Sequence, residues 1–410
     1  MLSFVPSKRI RAFYDRVISM IRILLVPSSD YLGHPFPQRH NQIFERVHDG
    51  KNFEVHVARF RLFDKPHLKT KLVIHELDGT RISRVAPYYL VNSLYHASQI
   101  RRIIKEEGID VVVLSNLAAP FAYTLMDQIS SSRVPVIFDL PDYYPTSAAS
   151  YIFDPKNVSG KLFGGIFDFM LRFMMRRSAV VTVASHALDE YAKGAGAHHV
   201  VCVPNGIGES FLELHDGNTL REKLGYGRED LVVGYIGSLE FWLDMRSLIE
   251  GIALARRMGL SIKLLIVGSR LHTNYSERVA QWVKEKNIEK QTKLLGFVPY
   301  EVVPEYISAL DVGTIPFDVS NPTAYYASPN KMWEYLSQRK PVLASPVPEA
   351  LINSDCVLTA LTPEDYAKQL LLVAEKKTEV HHKVETGYQR ALNRTWANSA
   401  RLFVLQSTRY

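Results

Sequence analysis

The sequence runs to 410 residues, with 47% hydrophobic and 22% charged side chains and a formal net charge of +7. That length exceeds what one hydrophobic core ordinarily fills, so two domains are expected, and the lack of any low-complexity run or fixed-period repeat argues against solenoids and disordered arrays. The basic residues lie in small groups such as Arg101-Arg102, Arg176-Arg177 and Lys284-Glu285-Lys286, never in a tract interleaved with aromatics, so no nucleic-acid partner is expected.

Cys202 and Cys356 are the two cysteines and form no CxxC pair, which excludes a disulfide framework and a cysteine zinc site. No apolar run reaches the roughly 18 residues of a membrane-spanning helix. The opening MLSFVPSKRIRAFYDRVISM is basic and amphipathic, without an apolar stretch ahead of a small-residue cleavage site. A cytoplasmic protein is the expectation, and the sequons at Asn157, Asn274 and Asn393 then have no use.

In chain order, residues 22–27, 53–58, 110–114, 135–139, 179–183 and 200–203 read as strands, with helical patterns near 97–107, 119–130 and 161–177. Residues 62–89 show no single period. The loop Asp30-Tyr31-Leu32-Gly33-His34-Pro35-Phe36-Pro37-Gln38-Arg39-His40 follows the first strand. There Gly33 admits close backbone approach, and His34 and Arg39 offer polar groups to a ligand; the prolines equally suit a stiff structural loop. Asp139-Leu140-Pro141-Asp142-Tyr143-Tyr144 follows a later strand. Asp142 is the preferred general base or orienting acid there and Asp139 the second, although turn and cap duties suit both. On the helix at 161–177, Phe163, Ile166, Phe167, Met170 and Met174 make one stripe, set against Lys161, Asp168, Arg172 and Arg176. That stripe packs on a sheet or lies in an anionic membrane interface. Val203-Pro204-Asn205-Gly206 marks the exit from a first domain spanning 1–205, with Asn205 a candidate for the space between domains.

The second domain, 206–390, alternates more regularly. Strands are expected at 231–237, 262–267, 292–297, 312–316 and 341–345. Between them run an apolar stripe of Leu248, Ile249 and Ile252 from near Asp244 to Gly259, a helix that Ser276 can cap, and a helix started by Thr362-Pro363-Glu364-Asp365. Such alternation needs crossover helices and gives a parallel, doubly wound sheet, whose ligands gather beyond the strands' carboxyl ends. Residues 391–410 read as a closing helix. The dinucleotide fingerprint GxGxxG is absent, which argues against hydride transfer.

Ser328-Pro329 is a strong helix-start signal, and a helix amino end attracts anions. Lys331 adds a cation, and Glu334, three residues on, shares its face and can accept bonds from two vicinal hydroxyls. The plainer outcome is a surface ion pair of about 0.2–0.5 kcal/mol. Pro329-Asn330-Lys331-Met332-Trp333-Glu334-Tyr335 resembles the donor-binding stretch of GT-B glycosyltransferases, particularly family-4-like members. Gly234-Tyr235-Ile236-Gly237-Ser238-Leu239, Leu265-Ile266-Val267-Gly268, Leu295-Gly296-Phe297-Val298-Pro299-Tyr300, 311–317 and Lys340-Pro341-Val342 agree in order.

The resemblance implies an α/β fold of two Rossmann-like domains facing a central cleft, with the final helix crossing back to the first domain. It implies retaining transfer from a nucleotide-diphosphate sugar to a glycan or lipid-linked acceptor, which the helix at 161–177 would bring near by peripheral contact at the inner face of a membrane. It places Lys331 on the diphosphate and Glu334 on the ribose, with Ser328, Asn330, Gly237, Ser238 and Arg270 around the donor. Neither metal nor other cofactor is implied. Two departures stand out: Tyr326 occupies the place of a glutamate that serves the donor sugar in many members, and Glu240-Phe241-Trp242-Leu243-Asp244 lacks the usual basic pair. A nucleotide-sugar epimerase and a non-catalytic nucleotide-sugar-binding subunit are the alternatives.

Overall fold

Runs such as Ile21–Val26 and Val111–Leu114 are apolar at nearly every position, as strands covered on both faces must be. The computed structural model describes residues 20–34, 36–63, 66–128, 134–145, 157–269 and 273–407. The first sheet comprises β1 (Ile21–Val26), β2 (Phe53–Phe60), β3 (Val73–Leu77), β4 (Val111–Leu114), β5 (Val136–Leu140), β6 (Val180–Val183) and β7 (Val200–Cys202), in the order β3-β2-β1-β4-β5-β6-β7. The second comprises β8 (Leu231–Ile236), β9 (Ile262–Val267), β10 (Thr292–Leu295), β11 (Val312–Ile315), β12 (Val342–Ala344) and β13 (Leu358–Thr359), ordered β10-β9-β8-β11-β12-β13. The pairings within both sheets are parallel.

Strand order therefore reverses between β1 and β4 in one domain and between β8 and β11 in the other. Loops after those strands diverge there and leave room for a ligand. Alternate residues of β1 feed opposite layers: Leu24 and Val26 join the helices on one face, Ile23 and Leu25 those on the other. Side-chain caps start several crossover helices. Asp244 accepts from the Ser247 amide, and Thr362 and Asp365 form a reciprocal capping box.

The chain's last described helix, Trp396–Ser407, leaves the second domain and packs on Arg39–Val47 of the first. Phe403 meets Phe44 edge-on at 5.0 Å, and Trp396, Ala400 and Phe403 share a core layer with Ile23 and Leu25. The Ser399 hydroxyl donates to the Pro204 carbonyl at 2.7 Å, so the chain's exit from the first domain and its return are tied together.

Several local expectations change. Residues 62–89 contain edge strand β3 and the helix Val85–Val91; β3 is only partly covered, which dilutes its apolar period. Ser276 lies inside the helix Tyr275–Glu285, after Asn274, and does not cap it. β13 has two residues, too few for any period to register. The helix Val158–Arg177 is rotated from the expected stripe: Phe167, Leu171, Met174 and Met175 face inward, while Ile166 is 45% exposed. Among the described residues no helix is long and apolar enough to cross a membrane.

Phe403→Ala should cost about 3–5 kcal/mol in urea denaturation, because it empties a site in the first domain's core. A loss below about 1 kcal/mol would mean that the terminal helix is not part of that core.

Candidate active site

The helix Asn330–Ser337 follows the long loop after β11, at the second sheet's switch point. It begins one residue later than Ser328-Pro329 suggested. Pro329 holds the cap position, no side chain caps the helix, and Ser328 lies outside it. The uncapped amino end presents backbone N–H groups to an anion. Tyr335 anchors the helix from below, its phenol oxygen accepting from the Ile236 amide at 2.9 Å. Beside it, the Asn330 side-chain oxygen is buried without a hydrogen-bond partner among the described residues.

Lys331 lies against the end of β8. Its ammonium stands 5.0 Å from the Tyr235 ring centre and 5.9 Å from that of Phe317. Burial pushes the lysine down to about 8, against the opposing pull of Glu334. Glu334 is 8% exposed and accepts from the Tyr300 hydroxyl at 2.9 Å. Burial raises its carboxyl, while Tyr300 and Lys331 oppose that rise. This lysine and this glutamate are thus partly dehydrated groups with fixed neighbours, unlike a solvated surface pair.

Two strand-end glycines make the space. Gly237 has φ +145° and Gly268 φ +128°, and a β-carbon on Gly268 would lie 2.1 Å from the Gly237 carbonyl oxygen. A β-carbon on Gly237 would come within 3.1 Å of the Lys331 ammonium. Only glycine lets the loops after β8 and β9 close this tightly beneath Lys331. Ser238 adjoins Gly237, its carbonyl accepting from the Tyr235 hydroxyl at 2.6 Å. Arg270 lies outside the described residues. Glu240 is fully buried and accepts from Thr273 at 2.7 Å, so this loop brings a carboxylate where the resembling family brings cations.

Across from this helix, Asp139 at the end of β5 is inaccessible to solvent. Arg39 grips it with two bonds, Nε to Oδ2 at 3.0 Å and Nη2 to Oδ1 at 3.1 Å. His40 Nε2 lies 3.0 Å from Oδ2, and Thr182 donates to Oδ1 at 2.7 Å. Burial opposes the charge, yet Arg39 and His40 hold the carboxyl well below the usual range. Asp142, by contrast, opens to solvent. The protein crowded around it raises its carboxyl to about 6, against the pull of Arg39. Of the two acids, Asp142 is the one a substrate can reach.

The amino-terminal loop is internally engaged. Gly33 donates its amide to Asp30, which also holds the Arg59 guanidinium at 2.9 Å. His34 contacts the Phe36 carbonyl and the Gln38 amide, each at 2.9 Å. Arg39 is linked to the other domain through Asn205. Its Nη1 donates to Asn205 Oδ1 at 2.9 Å, and Asn205 Nδ2 donates to the Ser328 carbonyl at 3.2 Å. A continuous path runs from Asp139 through Arg39 and Asn205 to the loop that starts the helix Asn330–Ser337.

Tyr326 makes a second crossing. Its carbonyl accepts from Ser185 at 2.8 Å, and its ring stacks on Tyr143 at 4.7 Å and meets Tyr191 at 5.5 Å. Both first-domain tyrosines donate to Asp168, at 3.1 and 2.6 Å, and Arg172 secures that carboxylate at 2.6 Å. The carboxyl ends of the two sheets therefore face one another. Sequence reasoning missed Tyr300, His40 and Thr182. Tyr300 lay within a quoted stretch, but its partner is 34 residues away; the other two are ordinary polar residues until the fold brings Asp139 to them.

Known proteins agree with this architecture. Residues 55–206 match the family described as "Glycosyl transferase 4-like domain", and residues 230–376 match "Glycosyl transferases group 1". Sucrose-phosphate synthase from Thermosynechococcus elongatus is similar over 94% of this chain and 98% of its own, with a TM-score of 0.73 at 15% identity. Anabaena HepE in complex with UDP-glucose is similar over 95% of this chain and 100% of its own, with a TM-score of 0.70 at 16% identity. A glycosyltransferase from Rickettsia africae gives 95%, 100%, 0.64 and 13% for the same measures. At such identities the structural likeness speaks for the fold. No curated protein sequence matches the chain. Two family matches, one on each facing domain, identify this chain as a GT-B glycosyltransferase of group 1.

Proposed function

We propose that the chain transfers a glycosyl group, with retention, from a nucleotide-diphosphate sugar to a hydroxyl of a lipid-linked or polysaccharide-precursor glycan. The observation that carries this reading is Glu334, a buried carboxylate held by Tyr300 one turn after Lys331. A ribose fits the carboxylate, since vicinal hydroxyls supply the two donors it can still accept. The diphosphate then falls at the helix amino end, where Lys331 and the uncapped N–H groups meet it. HepE was solved with UDP-glucose bound, which supports a donor of this class.

The chemistry follows from where charge develops. As the glycosidic bond to the diphosphate breaks, negative charge grows on the departing phosphate and positive charge on the sugar ring. Lys331 and the helix end stabilise the former, so the mechanism calls on no metal or cofactor. Asp142 orients the acceptor hydroxyl, whose oxygen bonds to the anomeric carbon from the face the diphosphate leaves, as retention requires, while its proton passes to the departing phosphate oxygen. Retention and the acceptor class rest on the resemblance to group 1 enzymes.

Purified protein incubated with a panel of nucleotide-sugars should release nucleoside diphosphate only when acceptor, such as crude lipid extract, is added. Isomerised donor without release would assign an epimerase instead. Glu334→Ala should weaken donor binding by about tenfold to a hundredfold in calorimetry, the loss of charged hydrogen bonds. Asp142→Asn should lower kcat by about a hundredfold or more with donor affinity changed only a few-fold; full turnover in a folded variant removes the assignment.

The pH profile of kcat/KM provides an independent check. Asp142 is ionised above about 6 and Lys331 is protonated below about 8, so the profile should be a bell with limbs near those values. Lys331→Arg should abolish the alkaline limb, because guanidinium stays charged. An alkaline limb unchanged in that variant would clear Lys331 of the role.

A further inference from the structure

The helix Val158–Arg177 is apolar on two opposite faces. Phe167, Leu171, Met174 and Met175 pack inward on the first sheet. On the outward side Val158, Leu162, Ile166, Phe169 and Phe173 recur at intervals of three and four, one straight stripe along the helix. Val158 is 84% exposed, Leu162 62% and Phe169 63%. A helix hydrophobic all round is ordinarily covered on every side. In the same layer, beyond the intervening helix Ala118–Asp127 whose Leu125 is 45% exposed, Leu94 and Tyr95 of the helix Ser93–Glu106 are 64% and 55% exposed. Singly exposed apolar residues need no explanation; a connected run of them marks an interaction surface.

We propose that this face seats the first domain on an anionic lipid surface. The argument for lipid is the charge around the stripe. Lys161, Arg176 and Arg177 are exposed on the same helix, and Arg101, Arg102 and Lys105 on the helix Ser93–Glu106 of the same layer. Against these six cations the two helices expose one carboxylate, Glu106, which pairs with Arg102. The Arg177 guanidinium lies 3.7 Å over the Phe173 ring, an apolar residue and a cation presented together. Two copies meeting through such faces would juxtapose like charges, whereas anionic headgroups neutralise them.

The orientation suits an enzyme working at that surface. Helices that follow β3 and β5 start at the strands' carboxyl ends, which face the other domain. Leu94, Tyr95, Val158 and Leu162 are therefore at the cleft end of the face, and Arg101, Arg102, Arg176 and Arg177 at the far end. Apolar side chains enter the acyl boundary nearest the site while cations meet headgroups farther out. The surface stands on exposure and charge, independently of the donor and acceptor assigned above.

Co-sedimentation of the full chain with vesicles provides the test. The protein should pellet with phosphatidylcholine vesicles containing phosphatidylglycerol, and about tenfold more weakly with phosphatidylcholine alone or in high salt. Leu162→Glu with Phe169→Glu should abolish pelleting, and Lys161→Glu with Arg177→Glu should remove the preference for phosphatidylglycerol. Melting curves should match the parent; should the glutamates lower them, Leu162→Ser with Phe169→Ser replaces them as the deciding variant. The proposal is overturned if the parent stays in the supernatant with phosphatidylglycerol, or if the stripe variant pellets as the parent does. It is equally overturned if sedimentation velocity shows a dimer that the stripe variant dissolves, because a second copy then covers the face.

Discussion

The bidentate ion pair between Arg39 and Asp139 is the contact on which the site's geometry depends. It joins the helix Arg39–Val47 to the end of β5, and both partners are shut off from water. Such a pair is not retained for net stability, since desolvating two charges offsets most of their attraction; losing one partner, however, costs about 3–5 kcal/mol. What it secures is direction. With Nε and Nη2 committed to Asp139, Nη1 can point only toward Asn205, which holds the Ser328 carbonyl at the entrance to the donor-side helix. The same guanidinium also moderates Asp142. One cation thereby relates the accessible acid of one domain to the helix Asn330–Ser337 of the other.

The donor side is economical in positive charge. A loop that carries cations in resembling proteins carries Glu240 here, and that carboxylate is buried on Thr273. Among the described residues, the cation beside the start of the helix Asn330–Ser337 is Lys331, and in the proposed reaction the neutralising load falls on it and on the helix end. Burial matters in both directions: it lowers Lys331 toward neutrality, and under the proposed function it would strengthen the lysine's attraction for a diphosphate. Tyr326 extends the same pattern. Where the resemblance leads to a sugar-binding glutamate, an aromatic ring instead leans on Tyr143 and Tyr191, themselves braced by Asp168 on the helix Val158–Arg177. The helix that bears the outward apolar stripe is thus two contacts away from the donor-side loop.

Much of the architecture was legible because parallel α/β folds write themselves in local terms. Buried strands are short apolar runs, their helices carry caps such as Asp244 and Thr362, and the alternation dictates crossovers. The places where reading failed have local causes. Edge strand β3 is half solvated and loses its period, β13 is two residues long, and a helix with apolar residues on both faces admits more than one rotation. The helix start at Asn330 was displaced by one residue because proline suits both the cap and the first turn.

The chemistry divides along the same line. By itself the sequence determined the two-domain fold, the strand-end loops and the Pro-Asn-Lys-x-x-Glu helix, since these depend on neighbours within a few residues. Tertiary structure alone decided that Asp139 is a buried partner of Arg39 while Asp142 opens to solvent, that Tyr300 holds Glu334, and that Tyr326 bridges the domains. Those roles turn on burial and on partners far apart in the chain, such as Ser185 and Tyr326, 141 residues apart. A side chain's identity states what it can bond; only the folded chain states what remains beside it to be bonded, and whether water can reach it.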